Sequence, residues 1–378
     1  MDKAELKSLL HESLLSVQIH DVTKQSIREA HRNQREQRDL AEQKWLRPRF
    51  KSVIEHFAES SEVDLDKMRP TLVPVRASTW ESDLFRTATL LWSVPVSRGY
   101  GRRMRYLVMD ASNDKLIGLL ALGDPVFNLK SRDAWIGWSA EDRKKRLSSV
   151  MDLYICGSVP PYSFLLGSKL VACLATSREV GDAFRAKYTG AGGIISGEEK
   201  PAELLVVTTT SALGRSSLYN RLKLRTHPVT NFQRIGFTEG WGRFSVGDDL
   251  FKSLREHLAT EDHKYANGYS FGTGPNWRLR TIRAAMKSLG VDDALLKHGI
   301  QREVFAAELS DTARRQLREG IEGPGARPAA SEIAEVALDR WMRPRLEREG
   351  LQTWTRTDIE ELLPAGKEGA ANGTGRLL

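Results

Sequence analysis

Met151-Asp-Leu-Tyr-Ile-Cys156 is a strand-like run that leads through the loop Gly157-Ser-Val-Pro-Pro-Tyr162 into a helix-like stretch, Leu166-Gly-Ser-Lys-Leu-Val-Ala-Cys-Leu174. A second apolar run, Glu203-Leu-Leu-Val-Val-Thr208, follows further along the chain. Short apolar runs rich in β-branched residues predict strands, and the longer amphipathic stretch predicts a helix. The order strand, loop, helix, strand therefore predicts a core of mixed α and β structure.

Two further segments continue this order: Gly214-Arg-Ser-Ser-Leu-Tyr-Asn-Arg221 and Phe232-Gln-Arg-Ile-Gly-Phe-Thr-Glu-Gly-Trp-Gly-Arg-Phe244. With them, the chain resembles a GNAT-type acyltransferase fold, in which two neighbouring strands separate and an acyl-CoA pyrophosphate lies over a helix N-terminus. The resemblance implies an α+β fold: a GNAT-like mixed sheet flanked by helices, with helical N- and C-terminal extensions.

Local patterns predict the structure around this core. Leu6, Leu9, Leu10 and Leu14 recur at steps of three and four, which predicts one apolar face of a helix. Residues 105–122 contain two β-prone runs around a turn and predict a hairpin, whereas residues 250–320 are predicted to be helical throughout. The predicted regions are an N-terminal helical region, a GNAT-like α/β core, a C-terminal helical region, a linker with a terminal helix, and a disordered tail, at residues 1–60, 61–250, 251–320, 321–363 and 364–378.

The composition favours an anionic partner. The formal net charge is +8, the sequence pI is about 9.4 and 28% of the residues are charged. A basic balance of this size favours nucleic acid first, with acidic membrane surfaces and phosphorylated ligands behind it. A basic soluble enzyme that binds no polyanion is the alternative.

Cysteine usage and hydropathy indicate the compartment. Cys156 and Cys173, the two cysteines of the chain, sit in apolar runs without a Cys-x-x-Cys spacing, so we expect buried thiols and no metal site. No apolar run reaches the length of a membrane span, and the N-terminus lacks the pattern of a signal peptide. We therefore expect a soluble cytoplasmic protein with no membrane partner.

The loop before Gly167 is the expected cofactor site. The GNAT pattern Gln/Arg-x-x-Gly-x-Gly/Ala brings backbone N–H groups at a helix start close to a pyrophosphate. Aligned on Gly167, the chain has Tyr162 in place of the Arg or Gln and Leu165 in place of the first Gly. Acetyl-CoA is the cofactor that the pattern allows, with Ser163, Gly167 and Ser168 as candidate contacts, but the bulk of Leu165 would crowd a phosphate.

Two residues are candidates for proton transfer. Tyr219 follows the second strand at the spacing of the GNAT general acid, which would protonate a departing thiolate. A half-buried packing aromatic is the alternative role for this residue. Glu239 stands beside Gly240 and Trp241 and is the candidate base.

Hydroxyl, arginine and tryptophan residues form the expected nucleic-acid site. Arg215, Ser216 and Ser217 follow the end of a strand, where ligands commonly bind, and suit an oxyanion. The glycines around Trp241 leave room for a stacked base. A tight hairpin with a surface salt bridge is the alternative for this segment. The full candidate set is Arg132, Trp138, Arg215, Ser216, Ser217, Asn220, Arg221, Trp241, Arg243, Arg278, Arg280 and Arg283.

Four motifs carry a closer resemblance. They are Arg132-Asp-Ala-Trp-Ile-Gly-Trp138, Thr209-Thr-Ser-Ala-Leu-Gly-Arg-Ser-Ser-Leu-Tyr-Asn-Arg-Leu222, Arg234-Ile-Gly-Phe-Thr-Glu-Gly-Trp-Gly-Arg-Phe244 and Gly274-Pro-Asn-Trp-Arg-Leu-Arg280. The stretch from about residue 90 to 310 resembles the DruA family of the Druantia anti-phage systems. The resemblance implies a bacterial or phage-borne cytosolic protein with a GNAT-like core that associates with invading DNA. It carries over no catalytic residue.

Three functional hypotheses follow. The first is a DruA-like defence or mobile-element protein that binds nucleic acid and modifies a nucleotide or nucleobase. The second is an acyl-CoA-dependent N-acetyltransferase that acts on a small amine or a protein. The third is a non-catalytic scaffold that assembles with other proteins of a defence complex.

Overall fold

The computed structural model describes residues 2–16, 23–96, 101–192, 197, 199–224, 226–227, 230–241, 246–267, 275–321 and 326–364. The strands are β1 (Pro70–Pro74), β2 (Arg103–Asp110), β3 (Lys115–Gly123), β4 (Val150–Ser158), β5 (Val206–Thr210), β6 (Gln233–Phe237) and β7 (Glu303–Glu308). The helices are α1 (Lys3–Leu15), α2 (Lys24–Ala30), α3 (Arg32–Leu46), α4 (Phe50–Ile54), α5 (Trp80–Thr89), α6 (Lys130–Ile136), α7 (Ala140–Arg146), α8 (Gly167–Leu174), α9 (Arg178–Tyr188), α10 (Asp248–Thr260), α11 (Pro275–Leu289), α12 (Ala313–Glu319), α13 (Ala330–Ala337), α14 (Arg343–Glu349) and α15 (Arg356–Leu362).

One mixed sheet organises most of the described chain. Its strand order is β1-β2-β3-β4-β5-β7-β6, with β1 to β4 antiparallel to their neighbours, β4 parallel to β5, and β5 antiparallel to β7. The hairpin predicted over residues 105–122 is confirmed as β2 and β3. The predicted α+β class with a mixed sheet flanked by helices is therefore confirmed.

Helices cover both faces of this sheet because apolar residues of the strands face both ways. One cluster includes residues of α8, α9 and α13 that pack on β2, β3 and β4, among them Leu120, Leu170, Phe184 and Ile333. The cluster on the other face draws on α4, α5 and α15, among them Phe57, Phe85, Leu119 and Ile359. A sheet buried in this way reads in sequence as continuous apolar runs, as Leu116–Leu122 does.

A bulge in β4 changes the course of that strand. Ala121 of β3 faces Ile155 and Leu122 faces Leu153, so Tyr154 is an extra residue in β4. A bulge bends its strand and increases the local twist. The parallel pairing of β4 with β5 runs only from Val150 to Asp152, immediately before the bulge. We call the region where the two strands part beyond this pairing the strand split.

At the strand split, a hydrogen bond from a side chain replaces the backbone hydrogen bonds that join β4 and β5 before it. The hydroxyl of Thr209 donates to the carbonyl oxygen of Leu153 at 2.8 Å, just past the last paired residues. Because a side chain occupies that acceptor, the two backbones are held further apart than in a regular ladder.

The prediction that residues 250–320 are helical throughout is wrong at Glu303–Glu308. This segment is strand β7, which lies between β5 and β6 in the sheet. Val304-Phe-Ala-Ala307 is buried on both sides, so it lacks the alternation that identifies a half-exposed strand. Two alanines add helix propensity, and sheet pairing overrides it.

The described chain divides into two compact units. The helical unit contains residues up to 37, residues 212–215 and residues 237–302, and the sheet unit contains the remainder. In the helical unit, Leu6, Leu10 and Leu14 are buried against residues of α10 and α11, which confirms the predicted apolar face for these three residues. Leu9, the fourth predicted member, is 41% exposed because it lies at the edge of that face. The five regions predicted from the sequence follow other boundaries and stay a sequence-based division. No helix in the described ranges is both long and apolar enough to cross a membrane.

Candidate functional site

Asp152 is a largely buried carboxylate at the strand split. It pairs with Thr208 across β4 and β5, and the Thr208 hydroxyl donates to its Oδ1 at 3.0 Å. Burial raises the pKa of Asp152 to about 6, although the Thr208 hydrogen bond and the charge of Arg132 act in the opposite direction. A carboxyl with a pKa near neutrality is suited to accept a proton at physiological pH. Asp152 was not predicted as a site residue, and the one signal for it is a single carboxylate inside an apolar strand.

Tyr219 lies beside the same split. It belongs to a short 3-10 turn, is 7% exposed, and packs against Phe232 and Phe305 at ring-centroid distances of 5.1 and 5.2 Å. Cys156 and Thr209 neighbour its hydroxyl, and burial is the main reason that the pKa of Tyr219 lies well above its ordinary value. The residue is thus a buried aromatic whose hydroxyl stays protonated at neutral pH.

Cys156 completes this group of polar side chains. Burial raises the pKa of its thiol to about 12, with the Tyr219 hydrogen bond as the smaller, opposing influence. A thiol with such a pKa is protonated at neutral pH and is a weak nucleophile. At neutral pH, the strand split therefore holds one side chain that can accept a proton, Asp152, and two side chains that stay protonated, Tyr219 and Cys156.

The loop before Gly167 is closed by its own backbone. The N–H groups of Leu165 and Gly167 donate to the carbonyl oxygen of Tyr162 at 3.2 and 3.0 Å, and that of Ser163 donates to Val159 at 2.9 Å. A Cβ at Gly167 would lie 2.7 Å from the Tyr162 oxygen. These N–H groups already have acceptors inside the protein, which a bound pyrophosphate would have to replace.

Side chains of the same loop also bond internally. Tyr162 is fully buried, and its hydroxyl donates to Asp110 at 3.3 Å and accepts from Asn113 at 3.1 Å. The hydroxyl of Ser168 accepts the Ser158 N–H at 3.0 Å. The residue found where the GNAT pattern has Arg or Gln is thus part of the core.

Glu303 accepts hydrogen bonds from two of the residues predicted to hold a phosphate, Ser216 and Asn220, and from Arg234, which was not predicted. The Ser216 N–H and the Asn220 amide donate to its Oε2 at 2.8 and 2.9 Å, and Arg234 approaches Oε1 at 3.2 Å. Glu303 is 1% exposed. Burial alone would raise its pKa, but the Ser216 N–H and the Arg234 and Asn220 side chains hold the pKa below its usual value. These donors already bind an internal carboxylate, and Glu303 was missed because its segment was predicted to be helical.

The other residues predicted near this position are more accessible. Ser217 and Arg221 are exposed in the sheet unit, and Arg215 is exposed in the helical unit. Arg215 therefore falls in a different compact unit from Ser216 and Ser217. The same holds for the two predicted proton-transfer residues, because Glu239 is exposed in the helical unit and Tyr219 is buried in the sheet unit.

Arg132 and Trp138 form a buried network. Arg132 is 0% exposed, and its guanidinium donates to the carbonyl oxygens of Val126 and Phe127 at 2.7 and 2.8 Å. Two more of its donors reach Oδ1 of Asp133 at 2.9 and 2.7 Å, and the indole N–H of Trp138 donates to the same oxygen at 3.1 Å. The described contacts turn both side chains inward, away from any surface ligand.

An exposed tryptophan marks the helical unit. Trp241 is 46% exposed, and the guanidinium carbon of Arg283 lies 5.8 Å from its ring centroid. Lys297 is bridged to Trp241 through the backbone and is itself exposed. On α11, Arg280, Arg283 and Lys287 are exposed at steps of three and four, which puts them on one face. We call Trp241, Arg280, Arg283, Lys287 and Lys297 the Trp241 surface.

Two other predicted arginines are not part of this surface. Arg278 donates to Asp248 at 2.5 Å and to the carbonyl oxygen of Val246 at 2.8 Å, and its side chain is only 21% exposed. Arg283 is also paired, with Asp293 at 2.5 Å, but its side chain is 51% exposed. Arg243 lies outside the described residues. Within the described ranges, no group of three His, Cys, Asp or Glu side chains is placed to hold a metal ion.

Comparison with known proteins assigns the family. The family model described as Druantia protein DruA matches residues 21–319. The chain belongs to the DruA family. A relative named Druantia protein DruA, from Escherichia coli (strain UMEA 4076-1), is 49% identical over 344 residues, which cover 90% of this chain and 85% of that protein. No solved structure matches the chain.

The DruA match includes the candidate site residues described above. Asp152, Tyr219, Trp241 and Glu303 all lie within residues 21–319. The resemblance to DruA that four motifs predicted from about residue 90 to 310 is confirmed, and the match extends it towards the N-terminus.

Proposed function

We propose that this DruA-family chain is an anti-phage defence protein that binds nucleic acid through the Trp241 surface. The observation that carries the proposal is a tryptophan that is 46% exposed with a guanidinium against its ring. A base can stack on an exposed indole, and neighbouring cations can pair with the phosphates on either side. The net charge of +8 supports the same class of partner.

Replacing Trp241 by alanine is expected to weaken binding of a single-stranded oligonucleotide about 5- to 100-fold, because base–aromatic stacking contributes about 1–3 kcal/mol per base. Fluorescence anisotropy with a labelled thymidine oligonucleotide measures this change. Trp80→Ala is the matched control, since Trp80 is 47% exposed and stacks on His56 in the sheet unit. Equal affinities of the two variants for the oligonucleotide, or an affinity that does not change with salt concentration, would contradict the proposal.

We further propose that the sheet unit is a GNAT-like core. Support comes from the strand order, from the parallel β4–β5 pair in an otherwise antiparallel run, and from the bulge in β4 at the strand split. Group transfer at the split is the second candidate function, with a nucleotide or nucleobase as acceptor. The pKa of about 6 favours Asp152 over the exposed Glu239 as the base, and Tyr219, whose hydroxyl stays protonated at neutral pH, is the candidate hydrogen-bond donor at the split.

The closed loop at Gly167 distinguishes group transfer at the strand split from the function of an ordinary acyl-CoA-dependent N-acetyltransferase. Since the loop N–H groups are satisfied internally, we expect about 1 mM acetyl-CoA to leave the melting temperature unchanged. A ligand bound with a dissociation constant of about 10 μM would add about 2.7 kcal/mol at that concentration and raise the melting temperature by several degrees. Such a rise would restore acyl-CoA as the donor.

A phage-plating assay distinguishes catalysis from a scaffold role. In cells that carry a complete Druantia system, Asp152→Asn and Tyr219→Phe should abolish protection if the strand split performs chemistry. A scaffold that only assembles with other defence proteins would tolerate both changes, provided that the variants accumulate to the level of the unmodified protein.

A further inference from the structure

Three cationic side chains from separate segments meet in the sheet unit. Lys169 lies in the first turn of α8. Arg221 ends the 3-10 turn that begins at Tyr219. Arg340 lies in the π-helical turn Leu338–Met342, which joins α13 to α14. Burial lowers the pKa of Lys169, and the charges of Arg221 and Arg340 lower it further, so the three side chains lie close together. We call these three residues the cation cluster.

One indole ring positions two of the three cations. Lys169 Nζ lies 5.0 Å from the ring centroid of Trp341, and the guanidinium carbon of Arg340 lies 5.9 Å from it. Trp341 is 7% exposed and belongs to the same core cluster as Leu170 and Leu174 of α8. The ring has no net charge, so cation–π attraction fixes where the two cations lie and leaves their charges uncompensated. Single π-helical turns inside helices are rare and occur frequently at functional sites.

No carboxylate of the described chain pairs with the cation cluster. The charges that act on its lysine from Arg221 and Arg340 are both positive. Of the carboxylates nearby in sequence, Asp339 pairs with Arg343, and Glu335 is exposed and forms no ion pair with the cluster. Like charges held close together raise the energy of the protein unless an anion joins them. A bound anion would therefore stabilise this part of the sheet unit.

The cation cluster adjoins the strand split through two of its members. Arg221 is two residues beyond Tyr219, whose hydroxyl lies next to Cys156. Lys169 is one helical turn before Cys173 on α8. Burial raises the pKa of Cys173, and Cys156 and Lys169 both act on the same thiol, which places Cys173 close to both. A molecule whose anionic group binds the cluster would thus lie beside the polar side chains of the split.

We propose that the cation cluster binds a phosphate group, either of a free nucleotide or of a nucleic-acid strand. Guanidinium groups match phosphate oxygens with two parallel donors, and a lysine adds a point charge. Arg221 and Arg340 are exposed and Lys169 is half-buried, so a phosphate can reach all three. Side chains alone form this site, and the closed loop before Gly167 does not need to open. The strand case rests on the proposed nucleic-acid function, and the free-nucleotide case does not.

Calorimetric titration of the full chain with ATP and tripolyphosphate, and fluorescence anisotropy with a labelled thymidine oligonucleotide, test the proposal. Arg221→Ala and Arg340→Ala are each expected to weaken binding about tenfold, because each removes a hydrogen bond between charged groups. Lys169→Met should have a similar effect while it keeps an unbranched stem against Trp341. Each variant should also reduce the slope of log affinity for the oligonucleotide against log salt concentration by about 0.7.

Arg185→Ala is the matched control for these variants. It makes the same change in net charge within the sheet unit, but Arg185 is exposed on α9 and pairs with Asp182 and Glu203. We expect this variant to leave the affinities and the salt slope close to those of the unmodified protein. Trp241→Ala should leave the binding of ATP and tripolyphosphate unchanged, because Trp241 belongs to the helical unit.

The outcomes separate the source of the phosphate. Weaker oligonucleotide binding in the three cluster variants assigns a strand phosphate, and weaker binding of ATP and tripolyphosphate alone assigns a free nucleotide. Oligonucleotide binding that Trp241→Ala weakens but the cluster variants do not would overturn this proposal and leave the proposed function standing. Absence of binding of all three probes, or equal weakening by Arg221→Ala and Arg185→Ala, would also overturn it.

Discussion

Asp133→Ala is expected to lower the free energy of unfolding by about 3–5 kcal/mol, the cost of leaving a buried charge without its partner. Arg132 is 0% exposed and meets the Asp133 carboxylate through two donors. Alanine would leave the guanidinium in the core with the carbonyl oxygens of Val126 and Phe127 as its hydrogen-bond acceptors, and it would also remove the carboxylate that Arg143 contacts at 3.0 Å. Urea denaturation followed by tryptophan fluorescence measures the loss.

Asp182→Ala is the matched control for this variant. Asp182 also pairs with an arginine, Arg185, but its side chain is 61% exposed, so we expect a change of less than about 1 kcal/mol. Similar losses for the two variants would mean that the Arg132 site is not desolvated as described.

The pH dependence of the Asp133 effect has a defined sign. Burial alone would raise the pKa of Asp133, but hydrogen bonds from Arg132 and from the Leu129 N–H hold the pKa below its usual value. A depressed pKa in the folded state contributes stability above the ordinary pKa of about 3.9, and that stability is lost as the pH falls through the folded value. The difference between the wild type and Asp133→Ala should therefore shrink in acid.

Asp152→Asn is expected to stabilise the protein at about pH 8 by about 2–3 kcal/mol. The folded pKa of Asp152 is about 6, above the ordinary value of 3.8. A raised pKa in the folded state means that stability is fully present below the ordinary value and is lost as the pH rises through about 6. Each pKa unit corresponds to about 1.4 kcal/mol, and asparagine removes the ionisation altogether.

Urea midpoints between about pH 5 and pH 8 test this prediction. The wild type should lose about 1–2 kcal/mol more than Asp152→Asn across that range.

Glu303→Gln gives the opposite sign, because the pKa of Glu303 is lowered and its charge contributes stability above the ordinary pKa. An Asp152→Asn variant that is less stable at pH 8 would show that the carboxylate is needed in its ionised form. A variant that is more stable yet inactive in phage plating would identify a residue kept for chemistry at a cost in stability.

Much of the sheet was predictable because its strands are short apolar runs between turn residues. β2, β3, β4 and β5 were each predicted close to their observed positions. Strand β7 was not, because a four-residue apolar run buried on both sides gives no period by which to separate strand from helix. Its neighbours in space, β5 and β6, lie far from it in sequence.

The site was less predictable because burial decides the role of a polar residue. Arg132 stands next to Asp133 and two tryptophans, a composition typical of a ligand site. The structure places Arg132 in the core, where its guanidinium donates to Asp133 and to the carbonyl oxygen of Val126. Ser216 and Asn220 were predicted to bind an oxyanion, and the anion they contact is Glu303. Asp152 has no motif around it, and only the register of β4 and β5 gives it a distinctive environment.

Because β4 and β5 pair over only three residues, the sheet consists of two sets of strands joined by a short segment, and we call these sets leaves. One leaf comprises β1 to β4 and the other β5, β7 and β6. Each leaf keeps its own antiparallel ladders, so the backbone pairing between the leaves is confined to this short segment, while one apolar cluster packs against both of them. Side-chain packing therefore contributes more than backbone hydrogen bonds to the cohesion of the two leaves.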